Sequence, residues 1–299
     1  MKKGFITIAT GSKKYYEMAK ILVRSYKLST KDPMPFAIIT DTKDEKFSEF
    51  DDVVIIENAK CSYMDKIDLV KNSPYNESIF IDSDCIAYND LNIYWDDFYG
   101  ASDFSAYGQV IDSTSGQKGW FEIEDTWKYM NTIKYSINLH GGIYFFKKSE
   151  KNQNIYETCI EILENYGSFK FKNFKKPADE PVIALAMAVN GALPQKAFVD
   201  RFCFLKNGKK IRADFFSHSL SYYFNGEYAK EIGKLIHFGT SRTITPLYQI
   251  EKMKVEYMWK YNHKWPMLQG IFMYLKGYIL SGLMCIQMAP KIVVKRFKI

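Results

Sequence analysis

The sequence has few cysteines, few prolines and no long uninterrupted apolar run, and each shortage excludes a class of protein. The five cysteines are scattered through 299 residues without a C-x-x-C pair, so neither a disulfide framework nor a zinc cage is expected. Only nine prolines and 47% hydrophobic residues exclude a disordered chain and favour a full core. The apolar stretch near the amino terminus is too short for a signal peptide, and no small-residue cleavage site follows it. A cytoplasmic protein is therefore expected.

Acidic residues are absent from the end of the chain. Residues 257–299 contain seven Lys or Arg and no Asp or Glu, and the whole chain has a net charge of +7. The first 256 residues therefore have no net charge, and they contain no helix-turn-helix, zinc-finger or RNA-recognition motif. A nucleic-acid partner is not expected, and the positive charge belongs to a C-terminal tail.

Short apolar segments rich in Ile, Val and Phe alternate with segments of helical period in the first part of the chain. This pattern predicts an α/β fold with a mostly parallel central sheet flanked by helices. The predicted strands there are residues 5–10, 36–40, 53–57 and 78–82, and the predicted helices are 15–27 and 64–73. Further along, strands are predicted at 137–148 and 234–238, and helices near 151–165 and 179–190. In such sheets ligands bind at the carboxyl ends of the strands.

Two aspartates one residue apart, Asp82 and Asp84, follow the fourth predicted strand in the segment IDSDC. In an extended chain their side chains point to the same side, and two such carboxylates repel unless a cation lies between them. Oxygen ligands of this kind suit Mg²⁺ or Mn²⁺. An EF-hand is excluded because Ile86 and Ala87 occupy positions that need a ligand and a glycine, and the GFITIATGSKK segment lacks the glycine spacing of a P-loop. The sequence predicts a divalent metal site of another kind.

The same strand-end pattern also opens the aspartyl-phosphatase motif of the haloacid-dehalogenase type, in which the first Asp is a phosphoryl nucleophile. That motif has Thr or Val two residues after the second Asp, where this chain has Ile86. The later acidic pair with an upstream lysine has no convincing counterpart here. Such a phosphatase remains one alternative, and a non-catalytic, membrane-attached sugar-binding module is another.

Four ordered features carry a resemblance to a known family. They are Thr10 followed by Tyr15, the IDSDC motif, the NLHGGIYFF segment, and IHFGT with its histidine. With them, residues 4–245 resemble the nucleotide-sugar-dependent glycosyltransferases of the GT-A fold, most nearly glycosyltransferase family 8. The resemblance implies a GT-A catalytic domain over residues 1–250. It also implies hexosyl transfer from a nucleoside-diphosphate sugar, in the first place a UDP-sugar, to a saccharide or lipid-linked acceptor of a capsule or lipopolysaccharide type of surface polysaccharide.

The resemblance also implies roles for particular residues. The metal, Mn²⁺ or Mg²⁺, would be held by Asp82, Asp84 and His237, and it would stabilise the charge of the departing diphosphate. The residues expected to bind the donor nucleotide are Thr10, Tyr15, Lys66, Asp82, Ser83, Asp84, Gly239 and Arg242. The residues expected to bind the sugar or the acceptor are Asn138, His140, Gly141 and Gly142. Asp179 and Glu180, in ADEPVIALA, would act at the reacting centre as a base or by stabilising positive charge.

Each of these residues also has a purely structural interpretation. His237 fits a histidine hydrogen-bonded in the core, the glycine pair fits a β-bulge or hairpin bend, and the acidic pair fits the first turn of a helix. Two parts of the family pattern are absent. No acidic residue follows Thr10, and SRTITPLY stands where Lys-Pro-Trp is usual.

The tail, residues 251–299, is predicted to be an amphipathic helix that associates with a membrane. Apolar residues recur there at helical spacing, namely Leu268, Ile271, Phe272, Leu275, Ile279, Leu283 and Ile286. Lys276, Gln269 and Gln287 interrupt the segment, whereas a bilayer span needs about 20 predominantly apolar residues. We expect a helix lying in the interface of an anionic membrane, with the protein peripheral on the inner face of the cell membrane. A last helix packed on the body and a transmembrane anchor are the alternatives.

Overall fold

The computed structural model describes most of the chain, and contacts between its residues divide it into two compact units. The described residues are 2–111, 119–126, 128–129, 131–171, 174–196, 201–205, 211–224, 227–228, 233–261 and 267–297. Unit 1 comprises Met1–Ala19, Met34–Ser83 and Asn92–Phe198, and unit 2 comprises Lys20–Pro33, Asp84–Leu91 and Val199–Ile299. Each unit is therefore built from segments that are distant in sequence.

The described residues form strands and α-helices in the following order. The strands are β1 Lys3–Ala9, β2 Phe36–Thr40, β3 Asp52–Ile55, β4 Glu77–Ile81, β5 Cys85–Ala87, β6 Phe104–Ile111, β7 Ser136–Lys147, β8 Cys203–Phe204, β9 Ile211–Asp214, β10 Ser219–Phe224, β11 Glu227–Tyr228 and β12 Leu235–His237. The α-helices are α1 Lys13–Ser29, α2 Leu69–Asn72, α3 Ile93–Asp97, α4 Glu150–Glu164, α5 Asp179–Val189, α6 Pro246–Tyr261 and α7 Met267–Phe297.

Unit 1 is organised around a six-stranded sheet with the order β3-β2-β1-β4-β7-β6. The first four strands of this order pair in parallel, whereas β7 is antiparallel to both of its neighbours. Five of the six strands therefore run in one direction. The helix α5 packs on β7, and α4 packs on α5. The predicted α/β fold with a mostly parallel central sheet is confirmed.

The apolar runs of the sequence become the interior of this unit. Every residue of β2 is buried, and so are the last four residues of β4, because a parallel sheet covered on both faces needs apolar side chains on both. The helix α5 is buried over nearly its whole length, as expected of a helix that is apolar on all sides. Its amino terminus consequently lies inside the protein.

The order of the strands predicts a ligand site at the carboxyl ends of β1 and β4. From β1 the chain passes to β2 and β3 on one side, and then returns to β4 on the other side of β1. In open α/β sheets ligands bind at such a switch point. Thr10 follows β1 and Asp82 follows β4, so both are at this edge of the sheet.

Residues 64–73 were predicted to form one helix, but the structure has two short helical elements of different type there. The chain forms a 3₁₀ helix over Tyr63–Asp68 and then the single α-helical turn α2. Ser62 and Asp65 make a reciprocal capping box at its start. The Asp65 carboxylate also accepts hydrogen bonds from the Thr10 hydroxyl and the Lys60 backbone amide. These contacts fix the start of the segment, and 3₁₀ turns are common at helix ends and in connections.

Unit 2 contains two small three-stranded sheets and the last two helices. One sheet has the antiparallel order β11-β10-β9, and the other has the order β5-β12-β8. A buried carboxylate, Glu251 of α6, accepts hydrogen bonds from the Tyr88 hydroxyl at 3.0 Å, the Phe215 amide at 2.8 Å and the Lys254 ammonium at 2.6 Å. Burial, partly offset by these partners, raises the pKa of Glu251. The boundary predicted at residue 250 falls inside α6, next to this carboxylate.

The long helix α7 packs on α6 through small and flexible side chains. Met273, Gly277 and Ser281, spaced four residues apart, are buried on this inner face. At Gly277 an added Cβ would lie 2.5 Å from Cγ1 of Ile250. Of the helices within the described residues, none has the length and hydropathy needed to cross a membrane.

A pair of glycine substitutions in α7 tests this packing. Gly282 has open space around it, so Gly282→Ala should raise the free energy of unfolding by about 1 kcal/mol through helix propensity. Gly277→Ala gains the same propensity but crowds Ile250, and overpacking costs about 1–3 kcal/mol. We expect the Gly277 variant to be the less stable of the two in denaturant unfolding. Equal stability would contradict the close packing of α7 on α6.

Candidate active site

A buried lysine joins two carboxylates at the carboxyl end of β4. The ammonium of Lys66 lies 2.8 Å from Oδ1 of Asp82 and 3.0 Å from Oδ2 of Asp179. It also donates to the carbonyl oxygen of Gly141 at 3.2 Å, and it lies 5.5 Å from the ring centre of Phe80. The 3₁₀ helix, the end of β4, the start of α5 and the middle of β7 therefore meet at one cation.

The charges of this cluster compensate one another. The side chains of Lys66, Asp82 and Asp179 are only 12%, 16% and 12% exposed, so two carboxylates alone would repel strongly. Burial by itself would lower the pKa of Lys66, but Asp179 and Asp82 hold that pKa well above its usual range. Lys66 is therefore charged at every physiological pH. Asp82 and Asp179 already share the positive charge of Lys66. Its role in binding donor phosphates stays a prediction.

Glu180 occupies a different environment from its neighbour Asp179. Its Oε1 accepts the Gly141 amide at 2.8 Å, whereas Asp179 is paired with Lys66 and accepts the Tyr144 hydroxyl at 3.3 Å. Burial raises the pKa of Glu180, the Gly141 bond acts to lower it, and the charge of Asp179 raises it further. Glu180 thus binds a proton more readily than an ordinary glutamate does.

The glycine pair of β7 lets these groups approach one another. A Cβ at Gly141 would lie 2.6 Å from Cγ of Glu180, and the Gly142 carbonyl accepts the Asp82 amide at 2.9 Å. The pairing of β6 with β7 also shifts register between the pairs Ala106–Tyr144 and Gly108–Leu139, so the glycine pair lies in an irregular stretch of the strand pairing as well as beside Glu180.

Asn138 and His140 lie on β7 beside the glycine pair. Both are half-buried. Nδ1 of His140 accepts the Gly142 amide at 3.2 Å, and Asn138 lies opposite Gln109 of β6. Their predicted contact with sugar or acceptor stays a prediction.

An acidic residue that was not among the predicted site residues lies beside the end of β1. Asp41, directly after β2, accepts the Gly11 amide at 2.9 Å and the Tyr16 hydroxyl at 2.8 Å. Burial, together with Asp41, raises the pKa of Tyr16 to about 12. Thr10 donates instead to Asp65 at 2.8 Å, and Tyr15 is half-buried at the start of α1. The position of Asp41 at a strand end was the available sequence signal.

In unit 2 the second aspartate of the IDSDC motif lies against His237. Oδ1 of Asp84 is 3.0 Å from Nε2 of His237, and its Oδ2 accepts the Thr240 hydroxyl at 3.1 Å. The ligand atoms of Asp84, Cys85 and His237 all lie within 4.8 Å of one another. The pairing of β5 with β12 produces this arrangement, because it sets Cys85 opposite His237.

This set of donors fits a divalent cation. A carboxylate oxygen and an imidazole nitrogen suit Mn²⁺ or Zn²⁺, and the thiol favours softer ions, whereas Mg²⁺ prefers oxygen ligands throughout. The structure thus brings together two of the three predicted metal ligands, Asp84 and His237. The third, Asp82, belongs to unit 1, where it pairs with Lys66. Ser83 between the two aspartates is buried.

Arg242 and Gly239 lie close to His237 in unit 2. The guanidinium carbon of Arg242 is 5.7 Å from the ring centre of Phe204, and that ring is 5.0 Å from the imidazole of His237. Gly239 has a φ of +73°, and a Cβ there would lie 3.3 Å from the Phe204 ring. Sequence reasoning missed Phe204, since nothing in its local sequence marks it.

Neither the protein-family models nor the curated protein sequences give a match. The structure is similar to that of galactosyltransferase LgtC in complex with donor and acceptor sugar analogs, with 11% identity, 67% of this chain and 75% of that chain covered, and a TM-score of 0.48. It is also similar to mouse xyloside xylosyltransferase 1 in its apo form, with 9% identity, 81% and 99% covered, and a TM-score of 0.48.

A third similar structure is the apo form of the bifunctional glycosyltransferase WbbM. The identity is 12%, 83% of this chain is covered, and the TM-score is 0.49. The match spans 48% of the WbbM chain, about half its length. All three solved structures are glycosyltransferases. At these identities and TM-scores the likeness assigns no substrate, metal or residue role to this chain.

Replacing the buried lysine should be costly to the fold. Lys66→Met leaves Asp82 and Asp179 without their shared countercharge, and breaking a buried ion pair in this way costs about 3–5 kcal/mol. We expect a large drop in melting temperature. Lys71→Met, at an exposed position of α2, is the matched control and should melt like the unmodified protein. Adding Asp179→Asn to Lys66→Met should restore part of the loss, and equal melting of the two single variants would contradict the ion cluster.

Proposed function

We propose that this protein is a metal-dependent glycosyltransferase that moves a hexose-type sugar from a nucleoside-diphosphate sugar to a saccharide or lipid-linked acceptor. The first donor to consider is a UDP-sugar, and the product would belong to a surface polysaccharide of the capsule or lipopolysaccharide type. One observation carries the proposal. The IDSDC, HGG and ADE segments are far apart in sequence, yet Asp82, Gly141 and Glu180 belong to one cluster in unit 1.

The cation of this reaction would be held in unit 2 by Asp84 and His237. When bound, a divalent ion supplies positive charge to the diphosphate as it departs from the sugar. The imidazole of His237 favours Mn²⁺ over Mg²⁺ as that ion, because Mg²⁺ prefers oxygen ligands throughout.

The contacts of the acidic pair support different roles for its two members. Asp179 is engaged by Lys66 and Tyr144, so it would position the cluster and balance its charge. Glu180 uses Oε1 to hold the Gly141 amide, and its second oxygen would face the sugar or take the acceptor's proton. A raised pKa makes a carboxylate a stronger base, which suits the second task.

A thermal-shift screen of nucleotide sugars with and without Mn²⁺ tests the proposal. A donor present at 100 times its Kd should stabilise the fold by about 2.7 kcal/mol. Asp84→Asn should keep the fold but lose the Mn²⁺-dependent part of that stabilisation and the hydrolysis of the donor. Asp96→Asn, at an exposed position of α3, is the control.

Three outcomes would oppose the proposal. Unchanged donor hydrolysis by Asp84→Asn at matched metal concentration would remove Asp84 from the metal site. Stabilisation by beryllium fluoride in place of a nucleotide sugar would indicate an aspartyl phosphatase. Binding of sugars without any donor turnover would indicate a sugar-binding module.

Glu180→Gln should separate catalysis from stability. We expect donor turnover to fall about a hundredfold or more with little change in UDP affinity, because the amide can still accept the Gly141 hydrogen bond. Equal losses of turnover and affinity would instead make Glu180 part of the binding pocket.

Glu180→Gln also tests how stability depends on pH. Because burial raises the pKa of Glu180 above its ordinary value of 4.5, the folded protein binds this proton more tightly than the unfolded chain does. Stability is therefore lost as the pH rises from 4.5 through the folded pKa. Glu180→Gln should melt higher than the unmodified protein at neutral pH, and the difference should shrink toward acidic pH. Glu164→Gln, at the exposed end of α4, should show no such difference.

A further inference from the structure

Over residues 271–287, the part of α7 whose side chains the structure describes, most of the large apolar side chains lie on the side that faces away from α6. Its inner face carries Met273, Gly277 and Ser281. Its outer face carries eight large apolar or aromatic side chains that are 52–69% exposed, namely Ile271, Phe272, Tyr274, Leu275, Tyr278, Ile279, Leu283 and Ile286. In a helix on the surface of a water-soluble domain the apolar stripe faces the core, so this arrangement is reversed. A continuous exposed patch of this kind marks an interaction surface.

The composition of the outer face suits the boundary between water and lipid. Tyr274 and Tyr278 have ring centres 5.3 Å apart, and tyrosine places an apolar ring and a polar hydroxyl at that boundary. With 3.6 residues per turn, Lys276 and Gln287 fall at one margin of the apolar face. From that margin a lysine can extend its ammonium into water while its methylene groups stay in contact with lipid.

The charge of residues 257–299 distinguishes between two possible partners for the outer face of α7, namely a second copy of the chain and a lipid bilayer. Residues 257–299 contain seven Lys or Arg and no acidic residue. A second copy of the chain would bring two such positive segments together, and like charges at an interface disfavour that association. The surface of an anionic bilayer complements the same charges.

We propose that the outer face of α7 binds the surface of an anionic lipid bilayer, with the helix lying in the plane of the headgroups. The apolar side chains enter the acyl boundary, and the basic residues of the segment contact the lipid phosphates. Trp259 and Tyr261 at the end of α6 are 38% and 46% exposed, which adds aromatic side chains suited to the headgroup zone. This surface is independent of the catalytic chemistry proposed above.

The helix α6, on which α7 packs, is held firmly within unit 2. Gly277 lets α7 approach Ile250 of α6, and Glu251 ties α6 to Tyr88 and Phe215. Membrane contacts made by α7 would consequently hold unit 2 at the bilayer. Because the outer side chains are exposed, replacing them should leave the fold unchanged.

Sedimentation with vesicles tests the proposal on the full-length protein. We expect it to sediment with vesicles of phosphatidylglycerol and phosphatidylcholine and to bind pure phosphatidylcholine more weakly. The double variant Leu275→Asp and Ile279→Asp should bind the anionic vesicles at least about tenfold more weakly, because charged groups replace apolar ones at the lipid boundary. Its melting temperature should not change. Leu193→Asp, an equivalent change at a half-exposed leucine of unit 1 (50%), should bind like the unmodified protein.

Release by NaCl and by alkaline carbonate distinguishes a helix that lies on the bilayer from one that spans it. At about 1 M NaCl the Debye length falls to about 3 Å, so charge attraction is screened and only part of the protein should be released. Resistance to alkaline carbonate would show that the helix spans the bilayer and would overturn the proposal. Equal vesicle binding by the double variant and the unmodified protein would also overturn it.

Light scattering without lipid tests whether a second copy of the chain binds the outer face of α7 instead. A dimer that the double variant converts to a monomer would show that the outer face joins two copies of the chain, and the proposal would be wrong. A lack of donor hydrolysis in the full-length protein would count against the proposed enzymatic function and leave the vesicle result unaffected.

Discussion

The ion pairs of Lys66 with Asp82 and Asp179 are the constraint on which the site in unit 1 depends. The helix α5 is buried along nearly its whole length, so its amino terminus and its first residue, Asp179, must lie in the interior. A carboxylate there benefits from the helix dipole, but it meets a second carboxylate at the end of β4. One buried ammonium compensates both charges and also binds the Gly141 carbonyl. Four segments of the chain are thereby held in a fixed relation.

The sheet could be predicted from the sequence because its signal is local. Central strands of a parallel sheet are short apolar runs, and FAIIT and ESIFI show this directly. The 3₁₀ helix at Tyr63–Asp68 could not be predicted in the same way. Asp65 in its first turn accepts a hydrogen bond from the Thr10 hydroxyl, 55 residues earlier in the chain. A contact of that length is absent from any local pattern.

The same distinction applies to the candidate site and to the tail. Motif spacing selected Asp84 and His237, which the structure brings within 3.0 Å, but it gave no indication that Phe204 lies beside Arg242 and His237. In the tail, periodicity identified one apolar stripe, and Leu268 of that stripe lies outside the side chains that the structure describes. The helical spacing of apolar residues does not show whether they face the protein or the solvent. That direction follows from the close approach of Gly277 to α6, which turns the apolar side chains outward.

Sheet topology brings an acidic residue to the end of β1, although none follows Thr10 in the sequence. Neighbouring parallel strands end at the same edge, so a carboxylate that follows β2 can reach the backbone that follows β1. Asp41 does so by accepting the Gly11 amide. Burial acts to raise the pKa of Asp41, but hydrogen bonds from Tyr16 and Gly11 outweigh it and lower that pKa. The result is an ionised acceptor beside the end of β1, supplied by the residue that follows β2.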